Sequence, residues 1–390
     1  MFAALNNSLI EAPPCAGVGR LSIQVHELSE WPQIAPLWAV MAENSPYSSF
    51  YLSEDWTSLW LDVFGEFVRP QILRFMVEDV PVGVCLLVRD VERRGPFRVS
   101  RLYMNTGAGT LAGRPFMEFN SLLYIAGWEE KIAAALGEHL RALDWDEFSI
   151  EGISPSPMLS WLQVDTLPEL PASVKVRSSY YVDLGRLRIR KKSYESSLSS
   201  NTREQIRRSI KRYSRLGAVR VEIAQDVPQA EDFFEEMRGM HQARWNGRGH
   251  AGAFATGRRL DFHRALIKRA FPKGAIQMLR VLAGNSTIGV LYNFVQHSKV
   301  YFFQSGFDYE LDSDCKPGFV THALAIQHCL DAGFSDYDFL AGDARYKRSL
   351  AKERRPLHWV VFGRPGMRMA MIELLRVMKH RMNGEPDFAN

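Results

Sequence analysis

Cysteine is scarce: Cys15, Cys85, Cys315 and Cys329 are the only four in 390 residues, and no two stand in a CxxC spacing. A disulfide framework and a zinc knuckle are thereby excluded, and reduced thiols in a cytoplasmic setting are expected. No apolar run approaches the roughly 18 residues that a membrane-spanning helix requires. Lys and Arg are missing from the first nineteen residues, which Pro13-Pro14 interrupt, so a secretory signal is not expected and residues 1–19 read as a flexible leader. HExxH and GxSxG are also absent, which removes the usual metallohydrolase and serine-hydrolase readings, and no metal is expected.

What is present is ordinary in bulk and uneven in detail. Hydrophobic residues at 46% and charged residues at 24% exclude disorder, collagen and coiled coil, and 23 Phe, 13 Tyr and 9 Trp supply a large core. At roughly 150 residues per domain the length suggests two or three folding units. The net charge is only +4, yet the window Arg186 to Arg220 holds twelve Lys/Arg against Glu195 and Glu204. That local +10 leaves the remainder at −6, which points to one anionic partner at one place rather than to a DNA-coated surface.

Hydrophobic periodicity gives a mixed α/β order with a mixed sheet. In the first half it predicts a strand at Leu21–His26, helices around Ile34–Met41 and Ser53–Phe64, and a hairpin of Gln71–Val77 and Pro81–Val91 about Glu78-Asp79. A strand near Ser100–Met104, a glycine-rich stretch Gly107–Gly113, a helix Glu129–Leu143 and a strand Glu147–Glu151 follow. Prolines 155, 157, 168 and 171 mark 153–178 as a connector. The second half reads as a strand Ser179–Leu184, a basic helix Asn201–Leu216, a strand Ala218–Ala224, and helices Gln229–Trp245 and Gly257–Ala270. Strands Ile276–Ala283, Thr287–Gln296 and Val300–Ser305, a helix Pro317–Ala332, and strands Asp336–Leu340 and Leu357–Phe362 complete it. The halves repeat: Pro81-Val82-Gly83-Val84 answers Thr287-Ile288-Gly289-Val290, and Asp146–Ile150 answers Asp336–Leu340. The expected domains are 20–152 and 179–363, two similar units packed together with a ligand groove between them, and an amphipathic helix and tail at 364–390.

Lys316-Pro317-Gly318-Phe319-Val320 opens a helix whose free backbone N–H groups and dipole suit phosphates, with Gly333 as its left-handed stop. Phe319, Ala323, Ile326 and Leu330 are expected to pack it on a sheet. Strand ends should bring Asp308, Asp343, Tyr346 and Lys347 near that helix start, an inventory of base, acid and cation suited to acyl transfer to an amine or hydroxyl.

Several of these residues carry a resemblance. Arg203-x-x-x-Arg207-Arg208, Trp245, Phe303-Gln304-Ser305-Gly306-Phe307-Asp308, Lys316-Pro317-Gly318 and Tyr337-Asp338-Phe339-Leu340-x-Gly342-Asp343-x-x-Tyr346-Lys347 together resemble the GNAT-fold acyltransferases of cellulose-biosynthesis and exopolysaccharide loci, which are related to Fem-type aminoacyltransferases. Lys316 departs from the Ser or Tyr often found before Pro-Gly in that family, and the spaced glycines of the usual GNAT pyrophosphate loop are missing. The resemblance implies tandem GNAT-like domains and a coenzyme A thioester or acyl carrier protein as donor. It also implies a small-molecule, sugar or peptide acceptor. By it, Gln304, Ser305, Gly306, Lys316 to Val320 and Lys347 hold the donor, while Arg208 and Trp245 contact substrate; His263, also expected at the substrate, and His322 read as candidate bases near neutral pH. Asp308, Asp343 or His322 would remove the acceptor's proton, and Tyr346 would protonate the thiolate. Fem-type transfer from aminoacyl-tRNA and a non-catalytic binding role in polysaccharide synthesis are the alternatives.

Asn201 with Glu204 reads as the N-cap of the basic helix and Gly217 as its stop. Its cations suit phosphates of coenzyme A, a carrier protein, a nucleotide-linked sugar or transfer RNA. The loop Trp245–Gly252 suits a lid. At the C-terminus, Met367, Met371, Leu374, Leu375 and Met378 form an apolar stripe near Arg368, Arg376 and Lys379, expected to dock on the protein's own core, with membrane contact as the alternative.

Overall fold

The structure is a computed structural model that describes residues 21–107, 117–163, 167, 169–250, 252–254 and 257–383. The leader 1–19, Cys15, most of the glycine-rich stretch Gly107–Gly113, and Ala251 lie outside the described residues. The chain divides into two compact units. Unit 1 runs up to Glu54, then over Phe64–Val176 and from His358 onward; unit 2 comprises Asp55–Val63 and Arg177–Leu357.

Unit 1 begins with β1 (Leu21–His26), α1 (Trp31–Asn44) and α2 (Glu54–Val68, whose middle counts with unit 2). The hairpin of β2 (Gln71–Val77) and β3 (Val80–Arg94) turns where Glu78 takes φ +52°. β4 (Phe97–Met104), the short β5 (Leu123–Tyr124), α3 (Glu129–Ala142) and β6 (Glu147–Ile153) follow, then α4 (Pro157–Trp161). The order is β1-β2-β3-β4-β6; every neighbour is antiparallel except β4 and β6, which run parallel at Arg101–Tyr103 against Glu147–Ser149. α3 buries Ile132, Leu136 and Leu140 at helical spacing, and they join Phe75, Leu87, Leu102 and Phe148 in one core.

Unit 2 takes the second part of β7 (Ala172–Asp183), then α5 (Leu184–Ile189), α6 (Tyr194–Ser197), α7 (Ser200–Tyr213), β8 (Val219–Ile223), α8 (Val227–Asn246) and α9 (Gly257–Ala270). β9 (Ile276–Ala283), β10 (Ser286–Gln296), β11 (Lys299–Phe307), α10 (Pro317–Asp331), β12 (Asp336–Ala341), α11 (Arg345–Leu350) and β13 (Glu353–Gly363) complete the run. The order is β8-β9-β10-β11-β12-β7, antiparallel throughout except for β11 against β12. Strand order, directions and the helix before the parallel strand repeat those of unit 1. The closing strands differ in origin: β7 precedes the other strands of unit 2, whereas unit 1 is closed by His358–Gly363 of β13 on β6.

Several expectations shift. The stretch 153–178 is no irregular connector, because it contains α4 and the first half of β7. The basic helix is capped by Ser199, whose Oγ accepts from Thr202 N–H, so Asn201 lies inside its first turn; it ends at Tyr213, before Gly217. Gly217, at φ +133°, instead lets the chain pass Gly284, which a Cβ would strike. α10 buries Val320, Thr321, His322, Ala325, Ile326, Cys329 and Leu330, with Phe319 and Ala323 half-buried, so its core face is turned from the stripe read in the sequence. Gly333 at φ +92° is the expected stop. The apolar stripe of the last helix, α12 (Met367–Asn383), does not dock on a core: Met367, Met371, Leu374, Leu375 and Met378 are all exposed. Arg368 pairs with Asp146, and the side chains of Arg376 and Lys379 lie outside the described residues.

Candidate active site

β11 and β12 pair only at Lys299–Tyr301 against Asp336–Asp338. Beyond that, β11 stays with β10 through Phe307, while β12 follows β7 across an irregularity between Asp338 and Ala341. The parallel strands therefore part, and α10 starts from the loop that links them. Pro317 at the first helical position has no N–H, Val320 N–H makes the helix's first bond to Lys316 O, and Lys316 provides no side-chain cap. The helix itself thus leaves the N–H groups of Gly318 and Phe319 unpaired, and no acid stands in its first turn. Lys316 N–H donates to Ser209 Oγ (3.1 Å), and the Arg212 guanidinium holds Asp312 (2.8 and 2.9 Å), which ties the loop to α7. A Cβ on Gly318 would meet the Phe307 ring at 3.2 Å, so the backbone there is bare of side chain on the side facing that ring. Lys316 is exposed, and Pro317 and Val320 face the core.

His322, expected as a base, is fully buried. Its ring stands 4.5 Å from Phe302 and 5.1 Å from Phe339 and stacks on Tyr346 at 5.9 Å, with Nδ1 3.2 Å from Tyr337 Oη. Burial, helped by the charge of Lys347, lowers its pKa to about 3. A ring that weak and that dry cannot take a proton near neutral pH, so its role is packing beneath Tyr346. Tyr346 is half-buried, and burial raises its pKa, so the phenol keeps its proton. Lys347 is also buried: its ammonium donates to Leu340 O (3.0 Å) and Ala341 O (2.8 Å), which corrects its placement as a phosphate ligand. It secures the end of β12, where Leu340 takes φ +62° and Asp338 Oδ1 accepts from Leu340 N–H.

The two candidate carboxylates differ. Asp343 is exposed and bound by the Tyr180 hydroxyl (2.8 Å) and Arg348 (2.7 Å), which hold it below the usual carboxylate range, so it is a poor base. Asp308 is half-buried, and its Oδ1 accepts from the N–H groups of Glu310 and Leu311, leaving Oδ2 beyond them. Gln304 Oε1 bonds Ser305 N–H (3.0 Å), and Gly306 faces α8, where a Cβ would lie 2.8 Å from Met240 Cβ; close helix packing requires this glycine rather than a ligand.

On the other side, Trp245 is half-buried against His241 (5.9 Å) and His250 (5.6 Å), and Arg244 lies over the Tyr309 ring at 3.8 Å. His263 is fully buried among Phe254, Phe262, Tyr292 and Phe303, and burial, then the charge of Arg259, brings its pKa to about 3, so it cannot touch a substrate that stays in water. Arg208 is exposed on α7. Two groups carry more structure than their sequence signals suggest. His241 Nδ1–H donates to Ser305 O and its Nε2 accepts from Ala253 N–H (both 3.2 Å), pinning the Trp245–Ala253 loop to β11 as a neutral ring. Asp338 is 1% exposed, held by Ser179 Oγ (2.5 Å) and facing Arg355 (3.3 Å); burial raises its pKa. A lone histidine on a helix gives no sequence signal of the first. For Asp338, the apolar neighbours Tyr337, Phe339 and Leu340 were the signal of burial.

Among the described residues no group of three or more His, Cys, Asp or Glu could hold a metal ion, and no helix is long and apolar enough to cross a membrane. No curated protein matches the sequence. Among solved structures, FemX is similar with a TM-score of 0.55 at 10% identity over 87% of this chain and 98% of its own. A conserved protein of unknown function from Bacteroides thetaiotaomicron gives 0.51 at 10% identity over 88% and 100%. A tandem GNAT protein from the clavulanic acid biosynthesis pathway gives 0.45 at 11% identity over 89% and 100%. Such likeness concerns the fold. Residues 200–348, which run from the start of α7 into α11 and include the parted strands, match the family model of the acetyltransferase (GNAT) domain.

Proposed function

We propose that unit 2 transfers an acyl group from a thioester, carried by coenzyme A or an acyl carrier protein, directly to an amine or hydroxyl of a small-molecule, sugar or peptide acceptor. The observation that carries the reading is the helix start Lys316–Phe319, where the helix leaves the N–H groups of Gly318 and Phe319 unpaired and no acid stands in the first turn, placed where β11 and β12 part. The donor's phosphates take the N–H groups of Gly318 and Phe319 beside Lys316, and its thioester arm lies past Phe307 toward the gap between the strands. The acceptor atom attacks the thioester carbonyl, the C–S bond breaks, and the acceptor's proton leaves to Asp308 directly or through water. Asp308 is preferred over Asp343 because Arg348 and Tyr180 occupy the latter. The Tyr346 hydroxyl, which retains its proton, donates a hydrogen bond to the departing thiolate, and the proton taken by Asp308 passes to that thiolate through water. Backbone N–H groups at the strand ends stabilise the oxyanion. His241, through Ser305 and Ala253, is a positioning residue for the acceptor loop that carries Trp245. Such donors place the activity in the cytoplasm.

The test is mass spectrometry of the purified, denatured protein for coenzyme A or a carrier, joined to thiol release from acetyl-CoA and longer acyl-CoAs with amine and sugar acceptors. Thiol release that depends on acceptor supports the reading. Salt-sensitive transfer RNA binding without thiol release would replace it with aminoacyl transfer, and carrier binding without turnover would replace it with a non-catalytic role.

A further inference from the structure

The basic segment is only partly used by the donor cleft. Arg212 and Ser209, late in α7, face the α10 start; the beginning of α7 faces something else. Ser199 to Ser209 spans ten residues, about 15 Å along the helix at its usual rise. At that far end lies a cavity of about 530 Å³, within the range of small-molecule sites. Its floor is fixed: Leu198 and Leu350 belong to the unit's core, and the Tyr194 hydroxyl donates to Leu350 O (2.7 Å) while Tyr194 N–H donates to Gln327.

Its walls are cationic. Arg186, Arg190, Lys192, Arg348 and Lys352 line it against only two carboxylates, Asp183 and Glu353. Both carboxylates are already engaged: Asp183 caps α5 through Arg186 N–H, and Glu353 stands 3.8 Å from the Arg186 guanidinium. Arg348 is turned to Asp343. Arg190, Lys192 and Lys352 are exposed and have no carboxylate partner among the described residues. Three uncompensated cations around one concave floor repel one another, and an entering anion relieves that repulsion. The same wall includes Ser199, Asn201 and Thr202 in the first turn of α7, whose dipole adds to the attraction. Guanidinium forks, ammonium groups and helix N–H donors together favour phosphate oxygens.

We propose that this cavity binds a small molecule carrying two or more phosphate groups, of the pyrophosphate or nucleoside diphosphate class, at a site separate from the transfer cleft. The inference is independent of the acyl-transfer reading. It is tested on the full chain by calorimetric titration with inorganic pyrophosphate and with a nucleoside diphosphate, for the unaltered protein, the triple variant Arg190→Ala/Lys192→Ala/Lys352→Ala, and Lys316→Ala as the control at the α10 start. Circular dichroism checks that each is folded, which exposed positions should permit. Saturable binding by the unaltered protein, weakened at least tenfold in the triple variant and less than twofold in Lys316→Ala, with a shallower salt dependence in the triple variant, is the expected result. No saturable binding at millimolar ligand, an affinity unchanged by the triple substitution, or binding lost through Lys316→Ala would each overturn the proposal; so would affinity for nucleic acid alone.

Discussion

The two units repeat one strand order and differ most at the helix that precedes the parallel strand. In unit 2 that helix opens on Lys316-Pro317-Gly318 with no acid in its first turn. In unit 1 the corresponding α3 opens on Glu129 and Glu130, and the Glu129 carboxylate accepts from Gly127 N–H at 2.8 Å. One helix start carries no acid in its first turn; the other carries two, one of them bonded to the chain just before the helix. The strands differ in the same sense. β10 pairs with β11 as far as Gly289 and Phe307, whereas β4 leaves β3 at Met104, and β5 returns to pair Gly83 and Val84. Asn105, just past β4, accepts from Leu86 N–H and donates to Asn120 Oδ1 and Ser121 O, which ties the end of β4 to β3 and to the residues before β5. The lesson is that a duplicated strand plan is kept while the two copies diverge at the helix start and at the strand that leads to it.

The largest effect that tests this contrast is on stability in acid. His263 and His322, both in unit 2, have pKa values of about 3 in the fold against 6.5 ordinarily. Between those values the unfolded chain binds the extra protons, so stability falls as pH drops below 6.5, by about 1.4 kcal/mol per ring and pH unit. From pH 6.5 to 4.5 the loss is about 5 kcal/mol for both rings. Urea titrations across that range should show it, and limited proteolysis at pH 5 should cut within 177–357 first; earliest cutting within 64–153 would break the contrast. Next, Asn105→Ala should cost about 3 kcal/mol of stability by leaving buried groups unpaired, and thiol release should stay within twofold once the protein is folded. A large loss of turnover would mean that the Asn105 network of unit 1 takes part in chemistry.

Gly318→Val puts a side chain over the open helix start, and turnover should drop about a hundredfold, or about 2.7 kcal/mol, with folding kept. Its opposite number, Glu129→Ala, should leave turnover unaltered; equal sensitivity of the two positions would erase the distinction. Tyr346→Phe should lower kcat about tenfold with little change in KM, whereas unchanged kcat would reduce the phenol to a partner of the His322 ring.

Much of the architecture was legible in the sequence. Gly257–Ala270 and Ile276–Ala283 form a helix and a strand over those very residues, because periodicity and turn signals agree there. The Thr287–Val290 and Pro81–Val84 echo falls at matched strands of the two units. Short helices without periodicity escaped: α5, α6 and α11 are each six residues or fewer, and α11 carries both Tyr346 and Lys347. The site was harder to read, since residue type does not reveal environment. His263 and His322 look like neutral-pH bases until nine aromatic neighbours surround them, and Lys347 looks like an anion ligand until two carbonyls claim it. A glycine gives the same letter at Gly306, where a helix backbone approaches, and at Gly318, where a ligand is proposed.

The closing strand of unit 1 bears on how the chain matures. Ile153 finds its partner His358 only 205 positions later, so during synthesis unit 1 stays unfinished while every residue of unit 2 emerges and can assemble. The half made first is completed last, and a chain cut short before His358 would leave β6 with a bare edge open to other strands.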